Sequence, residues 1–247
     1  MIRNLHAEWT KLRTLPSTWW LVAATVVLTV AVGAAATSSL TTHICPTPEA
    51  CHEDTVKLSL SGVWLSQATC LVLGVLSMGS EYGTGTIRTT LTAMPTRRRV
   101  LAAKAAALAL LTAATGAVAV LTALWTAKLI LPVHGPTVRA TTGSVLVLAL
   151  VAVLGLALAT LLRDTAAALT LGLGLLYVVP LTIDLIHSHT WQHRLQHWTP
   201  MPAALSIQAT RDLDHLAIAP WPGLGVLAAY AAGLLTAGGA LFGARDA

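Results

Sequence analysis

The chain has 247 residues, of which 55% are hydrophobic and only 10% charged, whereas soluble domains carry roughly a quarter charged residues. Its 15 Lys and Arg outnumber its 10 Asp and Glu and give a formal charge of +5, but they flank apolar runs instead of gathering on one wettable face, which argues against a nucleic-acid binder. The surplus hydrophobicity is aliphatic, mostly Leu, Ala and Val with a single Phe, as suits helices in contact with lipid tails.

Residues 1–16 read as an amphipathic helix. Ile2, Leu5, Trp9, Leu12 and Leu15 recur at helical spacing, while Arg3, Asn4, Glu8, Lys11 and Arg13 occupy the other face. Such a helix is expected to lie in the inner headgroup plane, with Trp9 and Trp19 as interface anchors. Pro16 and Ser17 mark the corner where the chain turns upright. The apolar run that follows exceeds the roughly 7 to 15 residues of a secretory-signal core and reads as a retained anchor.

Crossing the hydrocarbon layer takes about 20 mostly apolar residues in a helix. Six stretches qualify: 19–41, 58–80, 104–131, 143–162, 165–186 and 221–243. None alternates as a membrane barrel strand does, and only helices otherwise satisfy the backbone in lipid. The expected fold is an all-α membrane protein, one six-helix transmembrane domain over 1–247. Six spans put both termini on one side. If that side is the cytoplasm, the inner segments hold Arg3, Lys11, Arg13, Arg88, Arg97, Arg98, Arg99, Lys104, Arg163 and Arg245, and the outer ones only Lys57, Lys128, Arg139, Arg194 and Arg211. The positive-inside bias therefore favours cytoplasmic termini in a multi-pass protein of the cell membrane.

Between the first two spans, Cys45 and Cys51 stand close together in a polar segment. They can close a short loop by a disulfide if that segment faces an oxidising exterior, or remain two unpaired thiols. After the second span the chain carries its densest positive charge, EYGTGTIRTTLTAMPTRRR over 81–99. A phosphate loop ends in Gly-Lys-Ser/Thr because the lysine neutralises phosphate charge; residues 79–85 lack that lysine and present Glu81 instead. With no nucleophile triad or carboxylate pair in view, the chain does not read as an enzyme. Thr86 can cap a short helix through Ile87, Thr90, Leu91 and Met94 that Pro95 ends. A helix so short is unstable alone, so it depends on a partner or on headgroups, and Arg97, Arg98 and Arg99 can equally bind anionic lipid.

An ion-driven carrier needs an ionisable group near mid-membrane. Asp184 and Lys128 fall near the outer ends of their spans, and Gln67 does not titrate, so the driving energy must come from elsewhere. Between the last two spans, His187, His189, His193, His197 and His215 accumulate, three of them at helical i, i+4, i+8 spacing. Such spacing can present imidazoles to zinc, yet no Cys or carboxylate completes a site, and the segment reads as an outer interfacial or re-entrant helix with Trp191 and Trp198 at the headgroups. Gly172 with Gly174 and Gly239 with Gly243 permit close helix contact without placing a dimer interface.

The loop that begins at Glu81, runs through Gly85, Thr86, Arg88 and Leu91 to Pro95, and ends with Arg97 and Lys104 resembles the first cytoplasmic loop of ABC-2 type transporter permeases. The opening Glu8-Trp9-Thr10-Lys11-Leu12-Arg13-Thr14-Leu15 looks like that of actinobacterial members, and Trp198-Thr199-Pro200-Met201-Pro202-Ala203-Ala204 is similar to the segment before the family's last span. The resemblance implies an export permease subunit that pairs with a second permease copy and with two separate ABC ATPase subunits, which supply the ATP and Mg sites. It also implies that residues 81–104 form a coupling helix docked on the ATPase. Sparse mid-membrane charge suggests a hydrophobic or amphipathic cargo, such as a drug, antibiotic, peptide or lipid-like compound. The alternative is a membrane anchor or regulatory protein that transports nothing.

Overall fold

Helix is the only regular structure among the residues described by the computed structural model, which are 2–43, 54–86, 97–130, 137–186, 188–211, 213 and 216–244. Cys45, Cys51, Arg88, Leu91, Pro95, His187 and His215 lie outside them, as do the side chains of Arg97, Arg98, His189 and His193. Among the described residues, six helical stretches are long and apolar enough to cross a membrane: Pro16–Ser39, Thr55–Gly83, Arg99–Ile130, Thr137–Leu162, Thr165–Asp184 and Pro220–Leu241. They fit a multi-pass membrane protein and fall where the apolar runs place them.

The ends differ for reasons of local chemistry. Helix α1 (Ile2–Thr14) stops before Leu15, and Pro16 opens α2 (Pro16–His43); a proline suits the first helical position because its missing N–H would be unpaired there anyway. The second span starts early, as α3 (Thr55–Ser59), then resumes as α4 (Gly62–Gly83). Helix α5 (Arg97–Ile130) begins seven residues ahead of Lys104, since nothing between Arg97 and Lys104 breaks a helix. Helix α6 (Thr137–Leu162) leads to α7 (Thr165–Leu173), a π-helical turn (Gly174–Val178) and α8 (Val179–Asp184). Pro180 accounts for that turn: it has no N–H for the Leu176 carbonyl and its ring crowds it.

Helix α6 is the centre of the bundle, packed by α4, α5, α7 and α11 (Pro220–Ala244). Its approach to α4 rests on two glycines. A Cβ built on Gly74 would come within 2.0 Å of the Ala152 carbonyl oxygen, and one on Gly155 within 2.5 Å of the Leu71 carbonyl oxygen. In a membrane, where lipid is as apolar as leucine, such close backbone contact supplies the dispersion energy that holds helices together. The sequence reading singles out Gly172, Gly174, Gly239 and Gly243; of these a Cβ on Gly172 would meet Leu71 at 2.8 Å, but the α4–α6 crossing uses other glycines.

Helices α9 (His189–Trp198) and α10 (Pro200–Leu205) and a 3-10 turn (Ser206–Gln208) precede α11. Trp191 and Trp198 are exposed, whereas Met201, Ala203, Ala204 and Ile207 are buried against α11 and α6. The buried amide of Gln208 donates to Ser144 Oγ at 3.0 Å, and Arg139 donates to the Ala209 carbonyl.

Candidate functional site

Because successive long helices run antiparallel, α1, the end of α4, the start of α5 and the α6–α7 corner share one end of the bundle. On α1, Glu8 and Lys11 are three residues apart and so face the same way. On α4, Ser77 and Glu81 are four apart and do likewise. Helix α5 brings Lys104 between them.

The side chains close into an alternating ring. Lys104 Nζ donates to Glu8 Oε2 at 2.7 Å, to Glu81 Oε1 at 2.9 Å and to the Ser77 carbonyl at 3.2 Å. An ammonium has three N–H bonds, so all are used. Lys11 Nζ donates to the other oxygen of Glu8 at 3.0 Å and shares Glu81 Oε1 at 2.9 Å. Glu8, Glu81 and Lys104 are buried, with 3%, 7% and 4% of their surface exposed. Charges this deep persist only when paired and hydrogen-bonded, and the two positive and two negative charges cancel.

Lys11 is the half-exposed member. Burial works against its ammonium, but hydrogen bonds to Glu81 and Glu8, with their charges, outweigh that and raise its pKa above the ordinary lysine value. The remaining oxygen of Glu81, Oε2, is buried without a hydrogen-bond partner. Beside the ring lies a groove of about 460 Å³, bordered by Thr14, Leu15, Ser80, Thr84 and Thr86.

These positions correct the sequence reading of α1. Glu8 and Lys11 are expected on the polar outward face, yet Glu8 points inward beside the buried Leu12. The signal was present in the spacing: Glu8 lies three residues after Leu5 and four before Leu12, within the apolar stripe. Of the loop residues in the family pattern, Glu81 and Lys104 meet in the ring. Gly85 and Thr86 are exposed. Gly85 has φ +71°, a left-handed conformation open to glycine at little cost, and it follows Thr84, the residue that caps α4. Thr86 Oγ1 lies 2.9 Å from Thr84 Oγ1. Arg97 opens α5. At the α6–α7 corner the Arg163 guanidinium stands 5.6 Å from the centre of the Tyr82 ring, a cation–π contact.

A second polar group lies farther along α4. Gln67 is fully buried; its Nε2 donates to the Trp64 carbonyl at 2.9 Å, and Tyr177 Oη donates to the same carbonyl at 2.8 Å. The Trp64 and Tyr177 rings meet edge to face at 5.0 Å and 88°. Tyr177 belongs to the π-helical turn. Among the described residues no three His, Cys, Asp or Glu side chains gather to hold a metal ion.

No protein-family model matches the chain, and no curated protein matches it in sequence.

Proposed function

We propose that the chain is the transmembrane subunit of an ABC-2 type exporter, moving a hydrophobic or amphipathic compound out of the cell with energy from separate ATPase subunits. In this reading the termini are cytoplasmic and α1 lies in the inner headgroup plane. The loop over residues 81–104 then couples to the ATPase, and the segment from α9 to Gln208 is an outer re-entrant element. A second permease copy completes the translocation path.

The observation that carries this reading is the ring. Glu81 and Lys104, the first and last residues of the family-like loop, are tied to each other and to Glu8 and Lys11 of α1. A push on the loop between them is therefore passed to α1, α4 and α5 through these ion pairs, as a lever for an external motor requires. The charged residues among the described spans, such as Lys57, Lys128, Arg139 and Asp184, lie near helix ends. That suits a cargo without ion coupling.

Affinity purification of the tagged chain from its native membranes tests the proposal. It should recover an ATPase that carries a phosphate loop, and Arg88→Glu with Arg97→Glu should release that ATPase or uncouple its hydrolysis. Recovery of the chain without any ATPase would overturn the transporter reading in favour of the membrane anchor.

A further inference from the structure

At the corner between α1 and α2 lies an apolar groove of about 240 Å³. Trp9 and Leu12 form its α1 side, Trp19 and Val22 its α2 side, and Leu111 of α5 its floor. The corner is fixed by Trp19 Nε1, which donates to the Arg13 carbonyl at 2.9 Å. Both tryptophans are about half exposed, at 41% and 54%, so the groove is partly open along the flank of the bundle. It falls below the roughly 300–1,000 Å³ of pockets that enclose a drug-sized molecule, and its mostly apolar lining suits a stretch of hydrocarbon chain.

The polar end of the groove is specific. Arg13 lines it and has no ion-pair partner among the described residues. Glu8, the acidic residue nearest in sequence, has both oxygens engaged by Lys11 and Lys104. Thr18 also lines the groove; it is 4% exposed, and its hydroxyl makes no hydrogen bond among the described residues. The hydroxyl oxygen keeps access to the groove, where an acceptor or donor that enters can reach it. Thr18 stands in the first turn of the 28-residue α2, where the helix dipole is positive; Pro16 has no N–H there and the Thr18 N–H is donated to the Leu15 carbonyl at 3.2 Å, so the attraction for an anion is that of the dipole.

We propose that this groove binds one anionic phospholipid. An acyl chain lies along Trp9, Trp19, Val22 and Leu111, and the phosphate is held between the Arg13 guanidinium, the Thr18 hydroxyl and the N-terminal turn of α2. The two parts belong together. A soluble anion gains nothing from the apolar trough, and a zwitterionic lipid brings beside its phosphate a quaternary ammonium that offsets the attraction to Arg13. The inference rests on the membrane-spanning architecture and is independent of the transport reading; it holds whether or not an ATPase is recovered.

Native mass spectrometry of the detergent-solubilised full chain tests it, with phosphatidylglycerol, phosphatidylcholine and inorganic phosphate as separate probes. Phosphatidylglycerol should be retained about tenfold better than phosphatidylcholine, whose ammonium weakens the charge-assisted contact of its phosphate with Arg13. Inorganic phosphate should neither bind nor compete. Arg13→Gln should abolish the preference, and Thr18→Val, which keeps the shape and so the fold, should weaken phosphatidylglycerol about three- to tenfold. Val22→Trp, which fills the trough, should lower retention of both lipids. Equal retention of the two lipids by the unaltered protein overturns the proposal, as does competition by inorganic phosphate or an unchanged preference in both Arg13→Gln and Thr18→Val.

Discussion

Lys104 Nζ and Glu8 Oε2 lie 2.7 Å apart although 96 positions separate the residues in the chain. Both are buried, so the pair joins α1 to α5 where water does little to screen it. Removing one partner leaves a buried charge without compensation, which typically costs about 3–5 kcal/mol. Lys104→Met is therefore expected to lower the melting temperature in detergent sharply. Glu8→Gln combined with Lys104→Met should cost less than the sum of the two single changes, by about 0.5–3 kcal/mol. A Lys104→Met protein that melts like the original would show that the ring does not stabilise the fold.

The six spans are legible from composition, because an uninterrupted aliphatic run of this length has few other places to go. What escapes is tertiary. The stripe of Leu5 and Leu12 contains Glu8, but a charge is normally assigned to water unless its partner is known. Here the partner arrives from α5. Lys104, by contrast, is legible as the one charge within a stretch of Ala and Leu, and its position at the end of a family-like loop draws attention to it without revealing the ring. The glycines present the same difficulty: with 18 in the chain, spacing alone does not distinguish Gly74 and Gly155 from Gly174 and Gly239, where a Cβ would meet little or nothing.

That distinction is measurable with the smallest possible side chain. Alanine in place of glycine in a helix interior ordinarily stabilises by about 0.5–1 kcal/mol. At Gly233, where a Cβ would meet nothing within 4 Å, the change should be neutral or stabilising. At Gly74 the Cβ would meet the Ala152 carbonyl oxygen at 2.0 Å, and α4 and α6 must separate. Gly74→Ala should instead destabilise by about 1–3 kcal/mol or more, seen as a lower melting temperature than Gly233→Ala. Equal melting of the two variants would mean that the α4–α6 contact is looser than described.

Tyr177 donates to the Trp64 carbonyl from the π-helical turn. Tyr177→Phe keeps the edge-to-face contact with Trp64 and removes only the hydroxyl, which is shared between the Trp64 carbonyl and, at 3.4 Å, the Leu65 carbonyl, at an expected cost of about 0.5–1.5 kcal/mol. Tyr177→Ala removes the ring as well, and a buried aromatic lost to alanine costs about 3–5 kcal/mol, reduced here because Tyr177 is partly exposed. Melting temperatures should therefore fall in the order original, Phe, Ala. Indistinguishable Phe and Ala variants would remove the role assigned to the ring.

At the opposite end of the bundle, Asp54 joins α3 to the segment that follows Gln208. Its carboxylate accepts from the Thr210 amide, from Thr210 Oγ1 at 2.7 Å, from the Arg211 amide at 3.1 Å and from the Lys57 amide at 3.1 Å. Burial alone would raise its pKa, but these donors outweigh that and hold it below the ordinary carboxylate value. A depressed pKa means that the folded state binds the proton less tightly than the unfolded chain does. The stabilisation is then fully present above the unfolded value of about 3.9 and is lost as pH falls through the lower folded value. Lys11 has the opposite sign: its raised pKa stabilises below about 10.4 and fails only as pH rises past the folded value. Between these limits both ends of the bundle are held. Hydrogen exchange over residues 206–211, corrected for intrinsic rates, should therefore be flat from pH 7 to 5 and lose protection below about pH 4. Asp54→Asn gives up the charge at every pH and should exchange faster throughout, with no acid step. Protection that survives unchanged to pH 3, or an Asp54→Asn profile that keeps the step, would assign the latch to another group.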